Sequence, residues 1–354
     1  MRVLMWMLGG QLPGGHIVQM EQTCIHLRRL GVDVVQVSET EPALEGFDLV
    51  HSFGVDYPKL ERCRDLGIPI VSSTIYHPCY IDPDRKWKIT RHLVRVGAEL
   101  FLSALRGDYA EKCQGLTMGT RVYGLAYQMS NMLLPNSESE ARAIVRELGV
   151  TTPSHVVPNA ADPDLFHLPE EGDQTDRQTV LCAGRIEPRK QQLELIKALR
   201  GTRVPLVLAG FPHPGHTGYY RECVRLADSS VTIQPPVPHE EMGRLYARAR
   251  VHALPSKIET TGLVSLEAAL CGCNVVTTNR GYTRDYFGDM AWYCDPYDLK
   301  SIREAVLAAY HAPFRADLRE HILGHYTWEH TARATLQAYE KVLATRRLAN
   351  FASR

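Results

Sequence analysis

Short apolar runs alternate with amphipathic stretches along most of this 354-residue chain. Residues 3–8 are apolar throughout and predict a strand buried on both faces. After the loop 9–15, Ile17, Met20, Cys24 and Leu27 recur at helical spacing, and Gly31 closes that helix. Further strands are predicted at 34–37, 48–51 and 68–73, the last ending near His77. Ile89, Leu93, Val96 and Leu100 form another helical stripe. A strand ends at 133–136. Ser137 and Glu140 then form a capping box for a helix to Leu148. Residues 155–158 read as a short strand.

The second half repeats the pattern. Strands are predicted at 180–183, 205–209, 231–233 and 274–278. Helices are predicted at about 191–199, 240–249, 299–310 and 327–343. Strand–helix alternation with short connections predicts α/β architecture: two doubly wound, Rossmann-like domains facing across a cleft. The expected N-terminal domain is 1–160 and the expected C-terminal domain 175–327. Residues 161–174 are the expected linker, within a polar, acidic, proline-bearing stretch.

Composition narrows the function. The formal net charge is zero, which gives no bulk signal for nucleic acid. Nine scattered cysteines with no C-x-x-C pair fit reduced thiols in a cytoplasmic protein, not a zinc site. The apolar N-terminal run is too short for a membrane span and leads into a glycine loop, so it reads as strand one, not a signal peptide. Lys86, Lys88, Arg91 and Arg95 flank the 89–100 stripe, with Trp87 and Phe101 adding apolar area. That stretch reads as a solvated face, with peripheral contact at the inner face of a membrane as the alternative.

The chemistry concentrates in residues 254–272, L-P-S-K-I-E-T-T-G-L-V-S-L-E-A-A-L-C-G. The preceding apolar residues predict a strand, and Leu263, Leu266 and Leu270 mark a following helix. Glu259 falls in the connecting loop, Gly262 at the helix start and Glu267 in its first turns. A helix start presents N–H groups and a positive dipole end to an anion. Two carboxylates beside such a site suit a ligand that combines phosphates with hydroxyls, as a nucleotide-sugar does. Arg185 and Lys190, in the loop after the first strand of the second half, are the two kinds of donor a pyrophosphate accepts. Gly14 and Gly15 lack the G-x-G-x-x-G spacing; they make either a tight turn or a close approach to a ligand. His77 and His51 sit at strand ends, as structural histidines or as cleft-edge contacts.

Together these residues resemble the family-four retaining glycosyltransferases of the GT-B fold, over nearly the whole chain. E-T-T-G-L-V-S-L-E-A resembles the family's E-x7-E motif, and G-R-I-E-P-R-K its phosphate clamp. V-P-N-A-A-D-P-D-L-F, L-P-N-S-E-S-E and Y-T-W-E are also similar to family stretches. The resemblance implies that Arg185 and Lys190 bind the donor diphosphate, Glu259 holds sugar hydroxyls and Glu267 the ribose hydroxyls. It implies that Gly262 and Leu263 present N–H groups to phosphate or sugar. It also implies that Gly15 approaches the diphosphate and that His77 sits at the sugar. The final helix, about 328–354, would cross back to the N-terminal, acceptor-side domain. Thr260 and Thr261 stand where glycine and phenylalanine are usual, and N-R-G-Y at 279–282 replaces a common double-glycine turn. The expected sugar pocket is therefore atypical at Thr261.

The expected reaction is hexosyl transfer from a nucleoside-diphosphate sugar to a hydroxyl of a glycan, glycolipid or small molecule. It is expected to need no metal and no cofactor, since Arg185, Lys190 and the helix dipole supply positive charge. The alternatives are a non-catalytic nucleotide-sugar binding protein and a GT-B sugar-nucleotide epimerase.

Overall fold

The structure is a computed structural model that describes residues 1–7, 14–38, 42–54, 56–76, 119–169 and 177–352. It divides into two compact units. One comprises Met1–Val157 and Ala332–Arg354, the other Pro158–Thr331. Both are parallel-sheet α/β units, as the sequence pattern predicts.

The first unit holds a five-stranded sheet in the order β2-β1-β3-β4-β5. The strands are β1 (Arg2–Met7), β2 (Asp33–Val37), β3 (Leu49–Phe53), β4 (Ile70–Ser73) and β5 (Met132–Leu134). Every strand pairing is parallel. Its helices are α1 (Gly15–Arg29), α2 (Tyr57–Asp65), α3 (Gly119–Met129) and α4 (Glu138–Leu148). The period-two alternation of β1 builds both faces of the core. Val3 and Met5 pack in one apolar cluster, Leu4 and Trp6 in the other.

The first cluster is completed from the far end of the chain. Ala332, Ala338, Tyr339 and Val342 pack against Val3, Met5 and Leu49. They lie on the long C-terminal helix, Trp328–Ala352. Burial of each large apolar side chain contributes about 1.5–3 kcal/mol. Tyr339 also places its hydroxyl 2.6 Å from His51 Nδ1, while His51 Nε2 lies 2.8 Å from Ser73 Oγ. Burial pushes the His51 imidazole down to about 3, so it is neutral. His51 is thus a satisfied core histidine, the plainer of its two sequence readings.

The capping box at α4 forms only by half. Ser137 Oγ accepts the Glu140 N–H at 3.2 Å. The Glu140 carboxylate does not reach back to Ser137. Its oxygens accept from Tyr76 N–H at 2.7 Å, Thr74 Oγ1 at 2.8 Å and Asn136 N–H at 2.9 Å. Those donors end β4 and β5, so Glu140 pins both strand ends to α4. The predicted strand at 155–158 is extended chain that bonds back to Leu133 and Pro135 without forming a strand.

The second unit holds a six-stranded parallel sheet in the order β11-β10-β9-β6-β7-β8. The strands are β6 (Thr179–Ala183), β7 (Leu206–Ala209), β8 (Val231–Gln234), β9 (Ala249–Leu254), β10 (Asn274–Thr278) and β11 (Trp292–Cys294). In β6, Val180 and Cys182 face one cluster and Leu181 and Ala183 the other. Helices α5 (Gln192–Leu199), α6 (Thr217–Leu226), α7 (Met242–Arg248), α8 (Leu263–Leu270), α9 (Thr283–Phe287), α10 (Leu299–His311) and α11 (Ala316–His325) cover it. The C-terminal helix, Trp328–Ala352, is α12.

Pro158, Asn159 and Ala160, expected in the first domain, and residues 161–166, expected in the linker, belong to this second unit. Ala161 forms a β-bridge with Thr327, and Phe166 is buried in the core. Packing overrides the polar appearance of the stretch. Among the described residues no helix is long and apolar enough to cross a membrane.

Candidate functional site

The expected clamp lies at the carboxyl end of β6. Arg185 follows Gly184, and Pro188–Lys190 forms a single 3-10 turn before α5. Lys190 is buried, with its Nζ 2.6 Å from Glu259 Oε1. Arg189 Nη1 lies 3.5 Å from the same oxygen, and its Nη2 lies 3.2 Å from Glu187 Oε1. Arg185 Nη2 lies 3.7 Å from Glu187 Oε1. The arrangement sets three cations against two carboxylates. Burial alone would push the Glu259 carboxyl up, but the Lys190 and Arg189 charges and the Lys190 hydrogen bond hold it down at about 2. Glu259 is therefore ionised at any ordinary pH.

Glu259 sits between β9 and α8 because its backbone is gripped on the far side. Its N–H donates to Arg280 O at 3.2 Å, and Tyr282 N–H donates to its carbonyl at 2.9 Å. Gly281, at φ +100°, permits that approach: a Cβ there would lie 1.9 Å from the Glu259 oxygen. Gly262 caps α8 in the left-handed conformation, and Leu263 begins the helix. The sequence placed both correctly relative to the helix start.

Glu267 lies on α8, buried, with both oxygens engaged. His239 Nε2 donates to Oε1 at 2.8 Å, and Tyr246 Oη donates to Oε2 at 2.8 Å. Thr261 is buried and accepts from Asn159 Nδ2 at 3.1 Å, while the Asn159 N–H donates to Tyr286 Oη at 3.0 Å. Asn159 thus ties the loop beside Glu259 to α9.

One group of expected residues is therefore brought together in the second unit: Lys190 and Glu259 in direct contact, Arg185 beside them through Glu187, and Thr261, Gly262 and Leu263 on the same loop as Glu259. Glu267 lies one turn further along α8, in its own network. Gly14 and Gly15 belong to the first unit, where Gly14 caps α1 and Gly15 starts it. His77, and the basic stretch around Arg91, lie outside the described residues. Sequence reading missed Arg189, Glu187, His239, Tyr246 and Asn159. Arg189 was hidden as one more cation in P-R-K. Asn159 and Thr261 are 102 residues apart, with no local pattern linking them.

Residues 166–323 match the family model described as Glycosyl transferases group 1. The D-inositol 3-phosphate glycosyltransferase of Mycolicibacterium smegmatis is 31% identical over 193 residues, which cover 51% of this chain and 43% of that one. The enzyme of that name from Xylanimonas cellulosilytica is 29% identical over 284 residues, 72% of this chain and 66% of that one. The matched stretches thus span between 43% and 66% of these relatives' own lengths. Among solved structures, sucrose-phosphate synthase from Thermosynechococcus elongatus superposes with a TM-score of 0.72 at 16% identity, covering 98% of this chain and 100% of that one. HepE from Anabaena, solved with UDP and glucose, gives 0.66 at 14% identity, covering 95% and 99%. Two parallel-sheet units of this kind are the GT-B fold, and residues 166–323 form a domain similar to the Glycosyl transferases group 1 family.

Proposed function

We propose that the protein transfers a hexose-type sugar from a nucleoside-diphosphate sugar to an acceptor hydroxyl, with retention and without a metal. The observation that carries this reading is the buried Lys190–Glu259 pair, 2.6 Å apart, with Arg189 against Glu259, Arg185 against the neighbouring Glu187, and Glu259 in the loop just before α8. Fixed cations beside a helix start favour charge that develops on a departing diphosphate, at no cost of reorganisation. The names of the relatives and the UDP and glucose bound to HepE support a nucleotide-sugar donor.

In this reading Arg185 and Lys190 take the diphosphate. Glu259, kept ionised by Lys190, uses its remaining lone pairs on sugar hydroxyls. Gly262 and Leu263 offer backbone N–H groups, Thr261 shapes the sugar pocket and Glu267 takes the ribose. Gly14, Gly15 and His77 are assigned to the donor by the family resemblance alone. No side chain in the Glu259 loop is set as a nucleophile, so the acceptor hydroxyl attacks on the face the phosphate leaves, and the phosphate accepts its proton. The acceptor is a glycan, a glycolipid or a small molecule, reached in the cytoplasm or at the inner face of the membrane through the cations around Arg91.

The test is release of nucleoside diphosphate from UDP-, GDP- and ADP-sugars. Arg185→Ala and Glu259→Ala should lower turnover by two orders of magnitude or more. Binding without turnover would favour a non-catalytic nucleotide-sugar binder. Unchanged turnover in both variants would remove these residues from the mechanism. Liposome flotation of Arg91→Ala/Arg95→Ala tests the membrane contact, and unchanged binding removes it.

A further inference from the structure

Glu267 has an unequal pair of partners. Tyr246 is fully buried, behind the carboxylate. The His239 side chain is 41% exposed and stands on the solvent side. The Phe166 ring holds both from the flank, with ring centroids 5.3 Å from His239 and 5.8 Å from Tyr246. A ligand that approaches Glu267 from solvent therefore meets His239 first, at the oxygen the imidazole already occupies.

We propose that His239 competes with the ribose diol of the nucleotide for Glu267, so that proton uptake by the imidazole weakens nucleotide binding. The inference rests on the donor-site reading above. The groups that act on His239 are the Glu267 carboxylate from α8, Glu240 beside it on its own turn and Asp162 from the segment before Phe166. All three favour the imidazolium, and the hydrogen bond to Glu267 raises the His239 pKa above its usual value despite partial burial. Below that pKa an ion pair must be broken before a diol can take Oε1. Above it, only a neutral hydrogen bond is exchanged. Affinity for a ribonucleotide should therefore fall with pH, by up to about tenfold per pH unit in the limit of full coupling.

Nucleoside diphosphates titrate in the same range, so the test uses a ratio in which the phosphate cancels. Binding of UDP, GDP and ADP and of their 2′,3′-dideoxy counterparts is measured by calorimetry at pH 8 and pH 6. In the wild type the preference for the ribonucleotide should shrink several-fold at pH 6. In His239→Gln, which keeps an N–H donor but cannot titrate, the preference should be the same at both pH values. The imidazole resonance of His239 adds a second readout, since Glu267→Gln should return its pKa towards the ordinary value. A wild-type preference that is equal at pH 8 and pH 6, or a His239→Gln variant that follows the wild-type profile, overturns the inference. If a nucleotide binds and needs Arg185 and Lys190 but shows a flat preference, only the role of His239 falls. If no nucleotide binds, the donor-site reading falls with it.

Discussion

The Lys190 ammonium and the Glu259 carboxylate stand 2.6 Å apart, both buried, and each is the other's principal charge partner. The pair therefore has separable structural and chemical consequences. Glu259→Ala leaves a buried ammonium without its counter-charge and should cost about 3–5 kcal/mol in urea unfolding. Lys190→Met/Glu259→Leu removes both charges and should recover most of that stability. Donor turnover should stay lost in both. A double variant as unstable as the single one would contradict this account.

The Glu259 carbonyl leaves no room at Gly281. Gly281→Ala would place a Cβ 1.9 Å from that oxygen at φ +100°. It should cost roughly 3 kcal/mol or more and displace the Glu259 loop. Gly149→Ala is the control: it also lies at positive φ, +62°, in the left-handed region, but nothing stands within 4 Å of its Cβ position. It should cost only about 1 kcal/mol, the backbone term alone. Equal losses in thermal melts would show that the close approach is not what demands glycine at 281.

Thr261 should report through Asn159. Thr261→Val keeps the shape but removes the acceptor for Asn159 Nδ2. An unmet buried amide costs about 1–3 kcal/mol. Discrimination between different hexoses on one nucleoside diphosphate should change together with stability, since Thr261 lies between Glu259 and Gly262 in the loop. Wild-type stability in this variant would mean that the bond contributes nothing.

Acid should destabilise the fold through histidines that are buried neutral. Burial pushes both His51 and His252 down to about 3. The unfolded chain takes up those protons near pH 6.5, while the native state does not. Their contribution is complete above pH 6.5 and is lost as pH falls towards 3, each at about 1.4 kcal/mol per pH unit. Glu140 acts in the opposite sense between about pH 4.5 and 7, because burial pushes its carboxyl up to about 7. The clean observable is therefore a difference. Between pH 7.5 and 5, His51→Gln should lose less stability than the wild type. Parallel pH profiles would mean that His51 is charged in the native state.

The Glu259–Glu267 stretch was readable because strand, glycine and helix follow each other within twenty residues, each with its own local signal. The alternating β-type runs were readable for the same reason: Val3 to Trp6 serve two cores at once and so are apolar throughout. What could not be read is long-range. Glu140 carries the local signature of a capping box, yet donors from three residues at the ends of β4 and β5 outbid the Ser137 N–H. Residues 161–166 look like linker until Thr327 supplies a strand partner for Ala161. His239 and Tyr246 lie seven apart on one turn-and-helix segment, and nothing in that spacing names Glu267 as what they share.

The C-terminal helix α12 gives the two units different histories during synthesis. The second unit is contiguous in sequence and can close its core as soon as Thr331 clears the ribosome. The first unit is written in two pieces, and Ala338, Tyr339 and Val342 arrive last. At usual elongation rates its apolar face waits roughly ten to thirty seconds for them. During that interval His51 has no Tyr339 hydroxyl and the Val3–Leu49 cluster has no lid. The first piece of this unit is thus made before the second unit yet finishes folding after it, and is exposed to capture by chaperones for longer.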